Sequence, residues 1–247
     1  VERSRGLGDV YKRQSFNNAW IKILLRPSIS ITGMENLKKQ HWYIATSNHQ
    51  SWGDIFILQK ITNRKVPLLR FFMKDVLKWI PIVSIVGWAL DMPFLKRYSK
   101  EQIENNPNLR GKDLEQMKKA FKRLETYPGT VFSFAEGTRF TQQKHKDQNS
   151  PFENLLRPKA GGIGVALSTM PFITTLLDLS ISYNSDSKSF WSFLCGGMSD
   201  IKIKVRTIEI PEDLLNKDYS KDKQYRDDLK DWLNKIWEEK DRFLSST

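Results

Sequence analysis

A chain of 247 residues can bury a sizeable core without staples, and its single cysteine, Cys195, excludes an internal disulfide framework. The 40 Lys and Arg against 28 Asp and Glu leave a net charge of +12, which favours anionic partners such as nucleic acid, a phospholipid surface or a phosphorylated substrate. Nucleic acid lacks support, since no recognition motif or basic–aromatic repeat is present, and no apolar run reaches the roughly 18 to 20 residues of a membrane span.

Residues 1–14 begin on valine and carry no periodic pattern; they read as an artefactual or disordered extension, leaving one domain over residues 15–247. Residues 19–25 suit a helix, and 28–32 alternate as a strand does. The apolar run 42–46 is a buried strand, and it ends in Asn48-His49-Gln50-Ser51-Trp52-Gly53-Asp54, with a helix beginning near Asp54. Residues 66–94 are the most apolar part of the chain, spaced by Arg70, Lys74 and Lys78, and suit either a helix packed on a sheet or a lipid-facing segment. Its stretch 79–90, interrupted by Pro81, Ser84 and Gly87, is too short to span a bilayer.

Residues 111–127 place Leu114, Met117, Ala120, Phe121 and Leu124 at helical spacing. Residues 130–134 form a strand running into Ala135-Glu136-Gly137-Thr138-Arg139, and the polar stretch 141–150 reads as a mobile loop. A short helix over 163–170 precedes a buried strand over 171–183, and 201–210 alternate as a strand near a sheet edge with one wet face. From residue 225 onward, Leu229, Trp232, Leu233, Ile236, Trp237 and Phe243 fall on one helical face, which favours core packing over membrane docking.

The chemistry concentrates after two strands. In a regular helix a five-residue separation would turn His49 and Asp54 about 140° apart, so one of them must lie outside the helix. With His49 in the turn and Asp54 in the first helical turn, the carboxylate reaches one imidazole nitrogen and leaves the other for substrate, the logic of the His–Asp half of a protease triad. No Gly-x-Ser-x-Gly elbow supplies a nucleophile, Ser47 and Ser51 read as turn or cap residues, and the three histidines and one cysteine show no zinc spacing. His41 and His145 lack comparable company and read as structural.

These segments resemble the glycerolipid acyltransferase family, which carries an NHxxxxD box, matched at Asn48, His49 and Asp54, and an EGTR box, matched at Glu136, Gly137, Thr138 and Arg139. The resemblance covers residues 28–183 and implies an α/β fold, a mixed β-sheet flanked by helices. It further implies transfer of a fatty acyl group from an acyl thioester, acyl-CoA or acyl carrier protein, to a lysophospholipid, typically the sn-2 hydroxyl of 1-acyl-glycerol 3-phosphate, with no other cofactor. The acceptor's hydroxyl is then the nucleophile and His49 its base. The oxyanion donors are open, with backbone amides around 50–52 as candidates.

By the same resemblance Glu136 positions the acceptor, Gly137 lets the backbone approach it, and Arg139 offers a planar fork to its phosphate. Lys74 and Arg97 fit the basic positions of an intervening box, together with Leu77, although Ser84 stands where a glycine is usual and Lys96 rivals Arg97. Ala135 replaces a common proline, a change expected to loosen the turn, and Pro171 corresponds to a fourth, structural box. The stretch from Met92 to Tyr98 is similar to bacterial lysophosphatidate acyltransferase homologues. The expected setting is the cytoplasmic face of a bacterial inner membrane, held by the basic surface on anionic lipid, with an N-terminal membrane segment missing from this sequence. Glycerol 3-phosphate or another lysophospholipid is the alternative acceptor, and a non-catalytic basic lipid-binding protein the alternative of another class.

Overall fold

The computed structural model describes residues 28–51, 53–71, 73–79, 94–95, 104–106, 115–116, 118–119, 122, 128–184 and 200–247. The expected helix at 19–25, the 80–90 part of the apolar stretch, Ser84, Lys96, Arg97, Cys195 and most of the expected helix at 111–127 lie outside these residues.

Six strands form the main sheet: β1 (Ser28–Thr32), β2 (Tyr43–Ser47), β3 (Leu69–Phe71), β6 (Thr130–Phe134), β7 (Thr175–Tyr183) and β8 (Asp200–Glu209). A separate parallel pair joins β4 (Met73–Lys74) to β5 (Phe94–Leu95). The main sheet has the order β1-β8-β7-β2-β6-β3. From β7 to β3 the neighbours run parallel, β8 reverses against β7, and β1 lies parallel to β8. The fold is thus α/β with a mixed sheet. The alternating strand over 201–210 is β8, one place in from the edge strand β1.

β2 is flanked by β6 and β7 along its edges and lies between the two hydrophobic cores on its faces, so all five of its residues are buried. That is why it reads as a continuous apolar run rather than an alternation. Tyr43, Ala45, Phe132, Leu177 and Leu179 turn to the face covered by α1 (Gly53–Thr62) through Ile57, Leu58 and Ile61. Ile44, Val131 and Leu176 turn the other way, toward α3 (Gly161–Thr169) and α4 (Lys223–Ser245). In α4, Tyr225, Leu229, Leu233, Ile236, Trp237 and Leu244 are buried in this second core. The amphipathic stripe therefore packs on the sheet, while Trp232 and Phe243 sit at its margin. No helix among the described residues is long and apolar enough to cross a membrane.

The expected loop at 141–150 is instead interrupted by a short helix, α2 (Gln142–Asp147). It buries no residue, so no apolar periodicity announces it. It forms because the Thr141 hydroxyl accepts from the Lys144 amide at 3.2 Å, a side-chain N-cap, and its end is held where a His145 ring nitrogen donates to the Phe152 carbonyl at 2.6 Å.

One buried polar cluster interrupts the second core. Asp178 shares the face of Leu176 and meets Lys240 of α4 at 2.6 Å and Arg206 of β8 at 2.8 Å. Lys240 and Asp178 have no side-chain exposure, and Lys240 also donates to the Leu179 carbonyl at 2.6 Å. Burial pushes the Lys240 ammonium below its ordinary pKa, and the Asp178 charge opposes that shift. Removing one partner strands a charge in the interior. Lys240→Met should therefore lower the unfolding free energy by about 3 kcal/mol in urea titration, and adding Asp178→Leu should cost less than the sum of the two single changes.

Candidate active site

The register of the central strands brings the two motifs together. Ser47, the last residue of β2, pairs with Phe134, the last of β6, so Asn48-His49 and Ala135-Glu136 leave the sheet side by side at its C-terminal edge. In open α/β sheets this edge, where crossovers diverge to either side of a central strand, is where ligands bind.

Asn48 explains how the chain can leave the sheet there at low cost. β7 runs on past β2, and the Asn48 carboxamide pairs with the exposed ladder position: its nitrogen donates to the Ile181 carbonyl at 2.9 Å and its oxygen accepts the Ile181 amide at 2.8 Å. A buried side chain mimics one further peptide unit, satisfying both backbone groups of Ile181. The main chain is then free to turn at His49.

His49 lies in that turn and Asp54 in the first turn of α1. The imidazole Nδ1 stands 2.9 Å from Asp54 Oδ2, with the His49 side chain 12% exposed and the Asp54 side chain fully buried. Because a carboxylate only accepts, this contact places the proton on Nδ1 and leaves Nε2 unprotonated, the form a general base needs. The ring plane is fixed from below by Phe134, stacked with centroids 3.9 Å apart and planes 12° from parallel.

Asp54 is satisfied on both oxygens. Oδ2 also accepts the amides of Gln50 at 2.7 Å and Ser51 at 3.0 Å, and Oδ1 accepts the hydroxyl of Tyr183, the last residue of β7. The amides of Gln50 and Ser51, which the sequence offers as oxyanion donors, therefore point at the carboxylate and not at a substrate. Ser51 acts as a cap: its hydroxyl accepts the Gly53 amide at 3.2 Å.

Glu136 faces inward. It has no exposure, its Oε1 accepts the His49 amide at 3.3 Å, and its Oε2 accepts the Leu156 amide at 3.4 Å. Its carboxyl thus buttresses the backbone that carries His49, a different place from the acceptor contact implied by family resemblance. Burial raises its pKa to about 8, against the lowering effect of the two amides and the Lys240 charge.

The rest of the second motif turns outward. The Gly137 amide closes a turn onto the Phe134 carbonyl at 2.9 Å, and Gly137 has φ 71°, the left-handed region that a residue with a Cβ rarely adopts. A Cβ there would meet the Lys159 side chain at only ordinary contact distance, 3.4 Å, so the requirement for glycine is conformational. Thr138 accepts from Lys144 Nζ at 2.8 Å, and the same ammonium donates to the Arg139 carbonyl at 3.1 Å. Arg139 is exposed. A further tie between the motifs is the Phe140 amide, which donates to the His49 carbonyl at 2.7 Å.

Lys74 ends β4, where its backbone is in register with Leu95, two residues before Arg97. Arg97 itself lies outside the described residues, so the pairing is established for Lys74 alone. Pro171 lies in the exposed turn between α3 and β7, ahead of the strand it was expected to open. His41 bonds Thr175 at 3.0 Å and packs edge-on to Tyr43 at the start of β2, away from the site. Sequence reasoning passed over Tyr183 and the Asn48–Ile181 pairing; the signals were a tyrosine closing an otherwise aliphatic strand and an asparagine at a strand end.

Comparison with known proteins places this geometry in a family context. The family described as Acyltransferase matches residues 28–182. The chain is 28% identical over 210 residues to 1-acyl-sn-glycerol-3-phosphate acyltransferase 3 of Arabidopsis thaliana, covering 78% of this chain and 52% of the relative. It is 22% identical over 233 residues to 1-acyl-sn-glycerol-3-phosphate acyltransferase epsilon of Mus musculus, covering 84% and 58% respectively. The chain thus spans about half the length of these curated relatives. Among solved structures, the 1-acyl-sn-glycerophosphate (LPA) acyltransferase PlsC of Thermotoga maritima shares the fold, with TM-score 0.57 and 16% identity, over 98% of this chain and 81% of that one.

The raised pKa of Glu136 has a definite consequence for stability. An unfolded glutamate ionises near 4.5, whereas the buried one holds its proton to about 8, so the unfolded chain sheds a proton first and stability falls as pH rises through that window. Between about pH 4.5 and pH 8, Glu136 should contribute a loss on the order of 4 kcal/mol, which flattens above that range. Urea titrations across the window should show a smaller slope for Glu136→Gln.

Proposed function

Because the chain belongs to the Acyltransferase family, we propose that it is an O-acyltransferase that moves a fatty acyl group from an acyl thioester to the free sn-2 hydroxyl of 1-acyl-glycerol 3-phosphate, giving phosphatidate. The observation that carries this reading is His49, held through Nδ1 by the buried Asp54 with Nε2 left as a base at the C-terminal edge of parallel strands.

In the proposed reaction Nε2 removes the hydroxyl proton as the acceptor oxygen bonds to the thioester carbonyl carbon. The tetrahedral intermediate collapses with cleavage of the carbon–sulfur bond, and the thiolate takes the proton back from the imidazolium. Asp54 keeps the imidazole in the right tautomer and stabilises its charged form. The acyl donor is acyl-CoA or acyl carrier protein, and no further cofactor takes part.

The acceptor phosphate is assigned to cations around the outward half of the second motif. Arg139 offers two parallel donors to it, with Gly137 and Thr138 shaping the loop and Lys74 and Arg97 adding charge. Glu136 serves the site from inside, through the His49 backbone. The net charge of +12 suits work at an anionic membrane surface, proposed as the cytoplasmic face of the inner membrane. Other lysophospholipids or glycerol 3-phosphate would use the same chemistry.

Thiol release from a long-chain acyl-CoA on adding 1-acyl-glycerol 3-phosphate in detergent micelles tests the reaction. His49→Ala should lose at least about a hundredfold in kcat, while binding to anionic liposomes persists. Unchanged release in that variant would remove His49 from catalysis, and liposome binding without release by the wild type with either donor would favour a non-catalytic lipid-binding protein. Arg139→Ala should raise KM for phosphate-bearing acceptors by about tenfold or more and affect neutral acceptors less; an equal effect on both would refute its assignment.

A further inference from the structure

The donor to the second oxygen of Asp54 comes from outside both sequence motifs. We propose that Tyr183 is a positioning residue for acyl transfer, anchoring the Asp54 carboxylate to the sheet so that His49 stays aligned with Nε2 toward the acceptor. This rests on the acyl-transfer reading of the His49 site.

The division of labour on Asp54 carries the inference. His49 and the amides of Gln50 and Ser51 all meet Oδ2, and all belong to the turn that Asp54 itself helps to form. These contacts define the turn but would move with it. Tyr183 lies 129 residues away and bonds Oδ1. Its hydroxyl is presented by the end of a nine-residue strand paired with β2 and β8, so it refers the carboxylate to the most constrained part of the fold.

Burial makes the contact one-directional. Asp54 has no exposure and Tyr183 has 6%, so neither has an easy exchange with water. Burial and the facing Asp54 charge raise the phenol's pKa well above its ordinary value, which keeps it a donor. With Oδ1 occupied by that donor and Oδ2 by three more, the Asp54 carboxylate is held from both sides and keeps its place against His49 Nδ1. Without the phenol, Oδ1 is a buried acceptor with no donor from the sheet, and the carboxylate pulls harder on the Nδ1 proton.

Tyr183→Phe tests this by deleting one oxygen. Tyr225→Phe is the control, since the Tyr225 hydroxyl is buried without a hydrogen-bond partner among the described residues and lies in the second core, on α4. Thiol-release kinetics and the proton resonance of His49 Nδ1, identified by its loss in His49→Ala, are measured for the wild type and both variants. Tyr183→Phe should lower kcat by roughly 10- to 100-fold with little change in KM for either substrate, and should move the Nδ1 resonance downfield; Tyr225→Phe should do neither. Wild-type kcat in Tyr183→Phe, or an unmoved resonance, would overturn the proposal. If the wild type releases no thiol, the acyl-transfer reading fails by itself, and the resonance alone then decides whether Tyr183 sets the His49–Asp54 contact.

Discussion

A carboxylate with no exposure to water must find its solvation within the protein, and Asp54 finds it in four donors drawn from two places, the turn after β2 and the end of β7. Two are amides of the turn after β2, one is the imidazole it orients, and one is a phenol from the end of β7. The geometry of the site follows from this requirement. The turn must curl so that two successive amides converge on one oxygen, α1 must begin where Asp54 can meet them, and β7 must run far enough past β2 to bring Tyr183 to the other side. A residue that appears from the sequence to be merely the partner of a histidine is therefore also what couples the first helix to the sheet.

The same sheet carries a second buried carboxylate, handled differently. Asp178 is paired with Lys240 and Arg206, so its charge is balanced by formal cations, whereas Asp54 is held by neutral donors and an imidazole that changes charge during the proposed reaction. Full ionic pairing suits a fixed structural element that joins β7, β8 and α4. Neutral donors leave the charge of Asp54 available to the imidazolium when it forms. Glu136 is the third variation, a buried carboxyl with two amides, which stays protonated to about pH 8 because that solvation is insufficient. The three buried carboxyls thus differ in the number and charge of the donors that meet them.

What could be read from the sequence was local or periodic. Strand β2 showed as an apolar run, β8 as an alternation, α4 as a stripe, and the His49–Asp54 pair as a five-residue spacing that fits only a turn entering a helix. Contacts across long separations had no such signature. Asn48 and Ile181 are 133 residues apart and Tyr183 and Asp54 are 129 apart, and only the sheet order β7-β2-β6 brings them within reach. The helix α2 was missed because its stability lies in a cap and not in an apolar face. The amides of Gln50 and Ser51 stand only as oxyanion candidates in the sequence, which shows which amides exist and not that these two point at Asp54.

The second motif makes the limits of motif reading most concrete. Glu136 and Arg139 are three residues apart in one short signature, and resemblance gives both to the acceptor. Their environments are opposite: the carboxyl is sealed beneath the turn and the arginine is exposed. The reversal occurs at Gly137, whose positive φ turns the chain away from the sheet while the Glu136 carboxyl remains on the amides of His49 and Leu156. An inward residue acts through the alignment of His49 and an outward one through the ligand it meets. Damage to the first should therefore appear in turnover and stability, and damage to the second in affinity, even though the two stand in one four-residue motif.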